Sequence, residues 1–107
     1  MPYPGAVILK DPSADLPYEV DWTAWLADLG VGVTLDTSAW EIAQISGATT
    51  PALTADTGSI LSGSLITQIW LHGGAVGAVY RVTNRVTATG SPTPKDDRSF
   101  FVEVQER

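Results

Sequence analysis

The residue types that most often bind metals or act as nucleophiles are scarce in this sequence. It contains one histidine, His72, and no cysteine, whereas a zinc site within one chain needs three or four such ligands. Asp11 and Asp15, or Asp96 and Asp97, could offer oxygen ligands to calcium. Neither pair has the alternating acidic residues and central glycine of a dedicated calcium loop. The sequence therefore predicts no metal site and no cofactor.

The triplet Asp56-Thr57-Gly58 comes nearest to a catalytic motif. Dimeric aspartic proteases of the retroviral type are chains of similar length, and each subunit contributes an Asp-Thr-Gly, so that two carboxylates share a proton in a dry site. A strongly apolar strand precedes the aspartate in those enzymes, whereas the weak strand Ala52-Leu53-Thr54-Ala55 precedes it here. A three-residue match arises often by chance. We expect no catalytic residue and keep a dimeric aspartic protease as an alternative.

The four tryptophans fall into two groups. Trp22 and Trp25 share one face of a predicted helix, and Trp40 shares a strand face with an isoleucine, which favours core positions for these three. Trp70 instead lies opposite the apolar side of its predicted strand. Exposed aromatic residues are enriched at interfaces, so Trp70 and the nearby His72 are candidate contact residues. Stacking on a sugar is the alternative role for an exposed tryptophan.

Composition and charge describe a small, acidic, globular domain. The 107 residues include 12 Asp and Glu against 6 Lys and Arg, a net charge of −6, whereas a nucleic-acid-binding surface needs clustered Lys and Arg. From Ile42 to Tyr80 the only charged residue is Asp56, which indicates either a neutral solvated surface or a face that contacts another subunit. Glycine and serine interrupt this stretch, so it predicts no membrane span. The N-terminus lacks the pattern of a signal peptide.

The first 17 residues are predicted to form an extended arm, and residues 18–107 the folded domain. Four of the seven prolines lie in this arm: Pro2, Pro4, Pro12 and Pro17. Each proline removes a backbone donor and opposes regular pairing. Val7, Ile8 and Leu9 are apolar residues that such an arm would leave in water, which makes them candidate interface residues. We expect the arm to be mobile in the free protein and to dock on a neighbouring subunit.

One helix and several strands are predicted beyond the arm. Residues 21–30 show helical spacing, with Asp21 as a cap and Gly30 as a stop. Period-two patterns indicate strands at 18–21, 33–37, 40–42, 65–71, 80–87 and 100–105, with a possible bulge at Ser38-Ala39 and a hairpin loop at residues 90–97. The layout of residues 46–64 is left open. The expected fold is all-β, a single Ig-like antiparallel β-sandwich with one short helix near the N-terminus.

Several short segments of the sequence resemble those of known proteins. Gly77-Ala78-Val79-Tyr80-Arg81-Val82 resembles the tyrosine corner of Ig-like sandwiches, with Gly77 and Tyr80 as its fold-determining residues. The segment Ile69-Trp70-Leu71-His72-Gly73-Gly74 precedes it, and Asp97-Arg98-Ser99-Phe100 follows. With Asp11-Pro12, Asp21-Trp22-Thr23-Ala24-Trp25-Leu26, the longer segment 77–87 and the C-terminal segment 102–107, they make most of residues 11–107 resemble the small phage and prophage proteins described as fibre–tail adaptors or head–tail (neck) structural proteins.

This resemblance implies a structural component of a tailed-phage particle with no enzymatic activity. Its partners would be tail, neck or fibre proteins and further copies of itself in a homo-oligomeric ring, and nucleic acid and membrane would not be among them. It would be made in the bacterial cytoplasm and end in the virion. The alternative function is that of a binding protein: an Ig-like module that decorates the particle and binds a host surface or a carbohydrate.

Overall fold

The computed structural model describes residues 7–106, which form eight strands and one short helix in chain order. The helix α1 spans Thr23–Leu29 and follows the first two strands. The strands are β1 (Val7–Lys10), β2 (Leu16–Asp21), β3 (Leu35–Ser46), β4 (Leu53–Ala55), β5 (Ser59–Ile60), β6 (Ile66–Gly73), β7 (Val79–Ala88) and β8 (Lys95–Val104). The open stretch 46–64 thus contains two short strands joined by turns.

The strands form two sheets that face each other. Sheet A has the order β1-β8-β7-β3, and sheet B has the order β2-β6-β4, with β5 also paired to β6. Neighbours β8-β7-β3 and β2-β6-β4 follow the strand order of the two sheets of an Ig domain. The predicted all-β, Ig-like sandwich with one short helix is therefore confirmed. One pair departs from the antiparallel pattern, because β1 runs parallel to β8.

The segment predicted as an arm contributes two strands to these sheets. Val7–Lys10 pairs with Phe101–Val104 at the edge of sheet A, and Leu16 and Pro17 begin β2 at the edge of sheet B. Pro17 is tolerated there because an edge strand leaves some N–H groups unpaired. Residues 7–10 thus differ from the expected mobile arm, since a ladder and side-chain burial fix them. Residues 1–6 of the predicted arm lie outside the described residues.

Lys10 is the last residue of β1, and its charged side chain is buried. Its side chain is fully buried, and its Nζ donates to the carbonyl oxygens of Gly73 at 2.7 Å and Asp11 at 2.9 Å. Burial lowers the pKa of the Lys10 ammonium, while the carboxylates of Asp15 and Asp11 oppose that shift. The bond to Gly73 ties the end of β1 in sheet A to the end of β6 in sheet B.

The helix packs as its spacing predicted. Trp22 and Leu26 are buried and Trp25 is half-buried, in a cluster with Leu35 and Val86. The rings of Trp22 and Trp25 meet edge to face at 5.3 Å. Asp21 accepts a hydrogen bond from the backbone N–H of Thr23 at 2.9 Å, but it lies one residue before the N-cap position, which Trp22 occupies without a side-chain cap. The last helical residue is Leu29, and Gly30 is the C-cap.

Strand β3 replaces the two separate strands predicted at 33–37 and 40–42. It runs unbroken from Leu35 to Ser46, and the register against β7 shifts between Leu35 and Thr37 and again between Gln44 and Ser46. The expected bulge at Ser38-Ala39 is wrong, because Ser38 and Ala39 pair regularly with Val86 and Arg85. Sequence alternation alone does not distinguish a bulge from a change of face.

A buried polar network joins the two sheets beside the helix. Trp22 Nε1 donates to Asn84 Oδ1 at 3.0 Å and lies 3.3 Å from Thr67 Oγ1, and the Thr67 hydroxyl donates to Asn84 Oδ1 at 2.6 Å. The amide of Asn84 donates in turn to Ser38 Oγ at 2.9 Å and to the Ala39 carbonyl at 3.0 Å. Both ends of the Asn84 side chain are thus satisfied, as burial in a sandwich core requires.

Tyr80 holds the turn between β6 and β7. The side chain is buried, and its hydroxyl accepts a hydrogen bond from the backbone N–H of Ala75 at 3.1 Å. This is the buried, backbone-bonded position expected of a tyrosine corner. Gly77 has a φ of +85°, a left-handed conformation that favours glycine over other residues. Its N–H donates to the Val104 carbonyl at 2.7 Å, which joins the corner to the end of β8.

Tyr80→Phe should lower the free energy of unfolding by about 1–3 kcal/mol, because it leaves the buried N–H of Ala75 without its acceptor. Tyr18→Phe is the matched control. The Tyr18 hydroxyl is buried without a hydrogen-bond partner among the described residues, and burial raises the pKa of this phenol. Urea unfolding should show Tyr18→Phe to be neutral or stabilising. Equal losses in the two variants would contradict the corner assignment.

Candidate functional site

The outer face of sheet B carries the two site residues predicted on β6. The pairing between strands shows which side chains share this face. Pro17 pairs with Trp70, Glu19 with Gln68 and Thr54 with His72. Side chains of paired residues lie on the same side of a sheet. We call this surface the Trp70 face and define it by these residues: Pro17, Glu19, Asp21, Thr54, Gln68, Trp70 and His72. The alternate residues of β6, among them Ile69 and Leu71, are buried in the core.

Trp70 stands near the middle of this face on the central strand of the sheet. Its side chain is 40 % exposed, whereas Trp22 is fully buried and Trp25 and Trp40 are half-buried. The exposure of Trp70 agrees with its predicted place opposite the apolar side of its strand, and of the three expected core tryptophans only Trp22 is fully buried. The contact role of Trp70 stays a prediction. An exposed tryptophan on a flat sheet offers a large apolar contact area to a partner.

Asp56 holds the backbone of Trp70 in place. Strand β4 pairs with β6 at Leu71–Gly73 and β5 pairs at Thr67–Gln68, which leaves Trp70 opposite the turn between them. In that turn the Asp56 carboxylate accepts from the Trp70 N–H at 3.1 Å, and the Asp56 N–H donates to the Trp70 carbonyl at 3.2 Å. The carboxylate therefore accepts the hydrogen bond that a backbone carbonyl of a paired strand would otherwise accept from the Trp70 N–H.

Gly58 allows this turn to lie against the core. Its N–H donates to the Asp56 carboxylate at 3.0 Å, and its φ is +76°. A Cβ at this position would lie 2.6 Å from the Trp40 ring, closer than side chains pack. The three residues Asp56-Thr57-Gly58 thus form a local turn that supports Trp70.

This geometry accounts for the triplet without protease chemistry. The Asp56 side chain is exposed to solvent, and the same oxygen accepts two backbone N–H groups. The proton-sharing carboxylates of aspartic proteases lie close together in a water-excluded site. The structure gives Asp56 a positioning role and offers no support to the protease alternative.

Asp56→Ala should lower the free energy of unfolding by about 1.5–3 kcal/mol, the usual range for hydrogen bonds to an ionised group. Asp56→Asn should lose less, because an amide oxygen can still accept from the Gly58 and Trp70 N–H groups. Thermal unfolding followed by circular dichroism measures both losses. Peptide cleavage by the wild-type chain that disappears in Asp56→Asn would instead favour the protease alternative.

Polar contacts fix the residues around Trp70. His72 Nδ1 lies 3.0 Å from the Asp15 carboxylate, and both side chains are exposed. The Gln68 amide donates to the Glu19 carboxylate at 3.0 Å. These contacts connect β6 to β2 and to the loop before it, on either side of the ring of Trp70 along the strand.

The ionised groups on this face are acidic. Glu19 and Asp21 project from β2, and Asp15 lies beside His72. Hydrogen bonds from the Thr23 side chain and backbone hold the pKa of the Asp21 carboxyl below its usual value, with a smaller contribution from Arg98. Asp21 therefore stays ionised at neutral pH.

The remaining candidate interface residues lie elsewhere. Val7 and Leu9 are about half exposed at the edge of sheet A, whereas Ile8 points inward and packs against the core. The structure thus brings Trp70 and His72 together and places Val7, Ile8 and Leu9 on the other sheet. Sequence reasoning missed Asp15, Pro17, Glu19 and Gln68 as neighbours of Trp70, although the alternation of β2 could have assigned Pro17 and Glu19 to one face.

Residues 7–106 contain neither a metal-binding cluster nor a membrane-spanning helix. No group of three or more His, Cys, Asp or Glu side chains in this range is arranged to hold a metal ion. Within the same range, no helix has the length and apolar character needed to span a bilayer.

The architecture defines a small Ig-like domain, and one face of its second sheet exposes a tryptophan. A family model described as podophage GP4 fiber-tail adaptor protein gp77 matches residues 10–103. This match covers most of the chain, which therefore belongs to that family. No curated protein and no solved structure matches the chain. The family consists of structural adaptors of phage particles, which implies a virion component that interacts with other tail or fibre proteins.

Proposed function

We propose that this protein attaches a fibre to the tail or neck of a phage particle, and that the Trp70 face is one of its contact surfaces. The family match over residues 10–103 carries the proposal. The exposed Trp70 supports the choice of surface, because aromatic residues at the centre of a flat patch dominate many interfaces.

An adaptor needs at least two separate contact surfaces. The edge of sheet A is the second surface that we propose, and it would contact a further copy of the chain. Val7 and Leu9 are exposed there, and the outer side of β1 has no strand paired to it among the described residues. Repetition of such a heterologous contact closes into a ring when the rotation permits. The proposed assembly is a homo-oligomeric ring with the Trp70 faces directed to another protein.

The experiment is complementation of a phage or prophage that lacks this gene. Wild-type chain should restore fibres on the particles, and electron cryomicroscopy should place its density between fibre and tail. Trp70→Glu should reduce incorporation, whereas Val31→Glu should not, because Val31 is a fully exposed apolar residue outside the Trp70 face. Melting curves of both purified variants verify folding.

Other outcomes separate the alternatives. Particles that lack the wild-type chain after complementation would refute the proposed function. Complete particles that carry Trp70→Glu but no longer adsorb to the host would favour the host-surface or carbohydrate-binding module.

A further inference from the structure

Cations are absent from a large part of the chain that includes the whole of sheet B. Residues 11–80 contain no Lys and no Arg, and β2, β4, β5 and β6 all lie within this range. Glu19, Asp21 and Asp15 therefore give the Trp70 face a negative potential that no cation of its own sheet offsets. Such a field attracts a positively charged partner surface and favours fast association with it.

The cations of the described residues belong to sheet A and are largely engaged. Lys10 and Arg98 partly offset the charges of Asp15 and Asp21, which leaves Glu19 as the carboxylate of this face without an ion pair among the described residues. Lys10 is buried, and Arg85 on the outer face of sheet A lies 3.1 Å from Glu41 and 3.8 Å from Asp97. Arg98 stacks 4.3 Å above the Trp22 ring and donates to the Asp21 carbonyl. Arg81 and Lys95 are exposed on sheet A.

A second copy of the chain is consequently a poor match for the Trp70 face. The outer face of sheet A would present Arg81, Arg85 and Lys95 together with Glu41, Asp97 and Glu103, as the register places them. These charges cancel, so the two faces of neighbouring copies gain little from each other electrostatically. We therefore place the complementary surface on a different protein.

We propose that the Trp70 face binds an arginine-rich surface of another particle protein, with an arginine stacked on Trp70 and paired with Glu19; this rests on the proposed adaptor function. Glu19 pairs in register with Gln68, two residues from Trp70 on the same face, and such diagonal neighbours lie within reach of a long side chain. Guanidinium groups stack on tryptophan and bind carboxylates through two parallel hydrogen bonds, which the ammonium group of lysine does not. The pairing of Gln68 with Glu19 holds the carboxylate in position for this contact.

The first test uses a defined probe and the full purified chain. The probe is a synthetic octapeptide of alternating Arg and Thr, titrated against the ¹⁵N-labelled protein. Amide shifts are expected along β2 and β6, and Trp70→Ala should weaken binding about two- to fivefold, as loss of an exposed cation–π contact predicts. A Lys-for-Arg peptide should bind more weakly than the Arg peptide. Shifts spread evenly over all acidic residues, including Asp36 and Glu41, would overturn the assignment to the Trp70 face.

The second test uses the particle and a matched control. Glu19→Lys and Asp28→Lys change the net charge equally, but Asp28 lies on α1 outside the Trp70 face. Incorporation into particles should fall at least about tenfold with Glu19→Lys, since like charges oppose each other across the contact, and should persist with Asp28→Lys. Incorporation of Glu19→Lys at the wild-type level would refute the arginine-rich partner while leaving the adaptor function intact. Absence of the wild-type chain from particles would refute the adaptor function itself.

Discussion

Trp22→Ala is expected to lower the free energy of unfolding by about 3–5 kcal/mol, the range for removal of a large buried aromatic side chain. Trp22 is fully buried and packs between the helix and both sheets. The substitution also removes the Nε1 donor from Asn84 Oδ1 and the ring beneath the Arg98 guanidinium. Urea denaturation of the purified chain measures the loss.

Two companion variants separate packing from hydrogen bonding. Trp22→Phe keeps most of the apolar volume and loses the Nε1 donor, so about 1–3 kcal/mol should be lost through the buried polar network. Trp25→Ala should cost less than Trp22→Ala, because Trp25 is only half-buried. A larger loss for Trp25→Ala would mean that the helix packs differently from the arrangement described.

The sequence predicted those helices and strands in which buried side chains recur at regular intervals along the chain. The helix was predicted because Trp22, Trp25, Leu26 and Leu29 follow helical spacing, and α1 occupies that place. Strand β7 was predicted because Tyr80, Val82, Asn84 and Val86 alternate with exposed or polar residues. Strands β4 and β5 are too short to show a period, which explains why residues 46–64 could not be assigned.

Contacts between segments that lie far apart in the sequence could not be predicted from the pattern of any one segment. The exposed position of Trp70 was predicted because Trp70 alternates with buried residues of its own strand, and His72 was named only because it lies close to Trp70 in the sequence. Glu19 and Asp15 were missed as their neighbours because the register between β2 and β6 joins residues about fifty positions apart. The burial of Lys10 has no local signal either, since a lysine is ordinarily exposed to solvent, and the carbonyl oxygen of the distant Gly73 accepts one of its hydrogen bonds inside the protein.

The N-terminal segment shows most clearly how a distant partner changes an interpretation. Its prolines indicated an extended arm, and an extended conformation is indeed what a strand requires. Val7–Lys10 contains no proline and finds a parallel partner in the last strand of the chain. A sequence pattern cannot identify that partner, because parallel pairing of the first and last strands leaves no local signature.

Deleting residues 1–10 should therefore destabilise the isolated domain by at least about 3 kcal/mol. The deletion removes the partly buried Ile8, worth up to about 1.5–3 kcal/mol, and the ladder with β8 at roughly 0.5–1.5 kcal/mol for each hydrogen bond. It also exposes the core residues Val102 and Val104 and frees the Gly73 carbonyl that Lys10 binds. The midpoint of thermal unfolding should fall by more than about 12 °C. Deleting residues 1–6 alone is the control, and the difference between the two deletions measures β1. If both shortened chains melt with the wild type, then β1 adds nothing to the sandwich, and Val7–Lys10 would be free to act as the mobile docking arm that the prolines predicted.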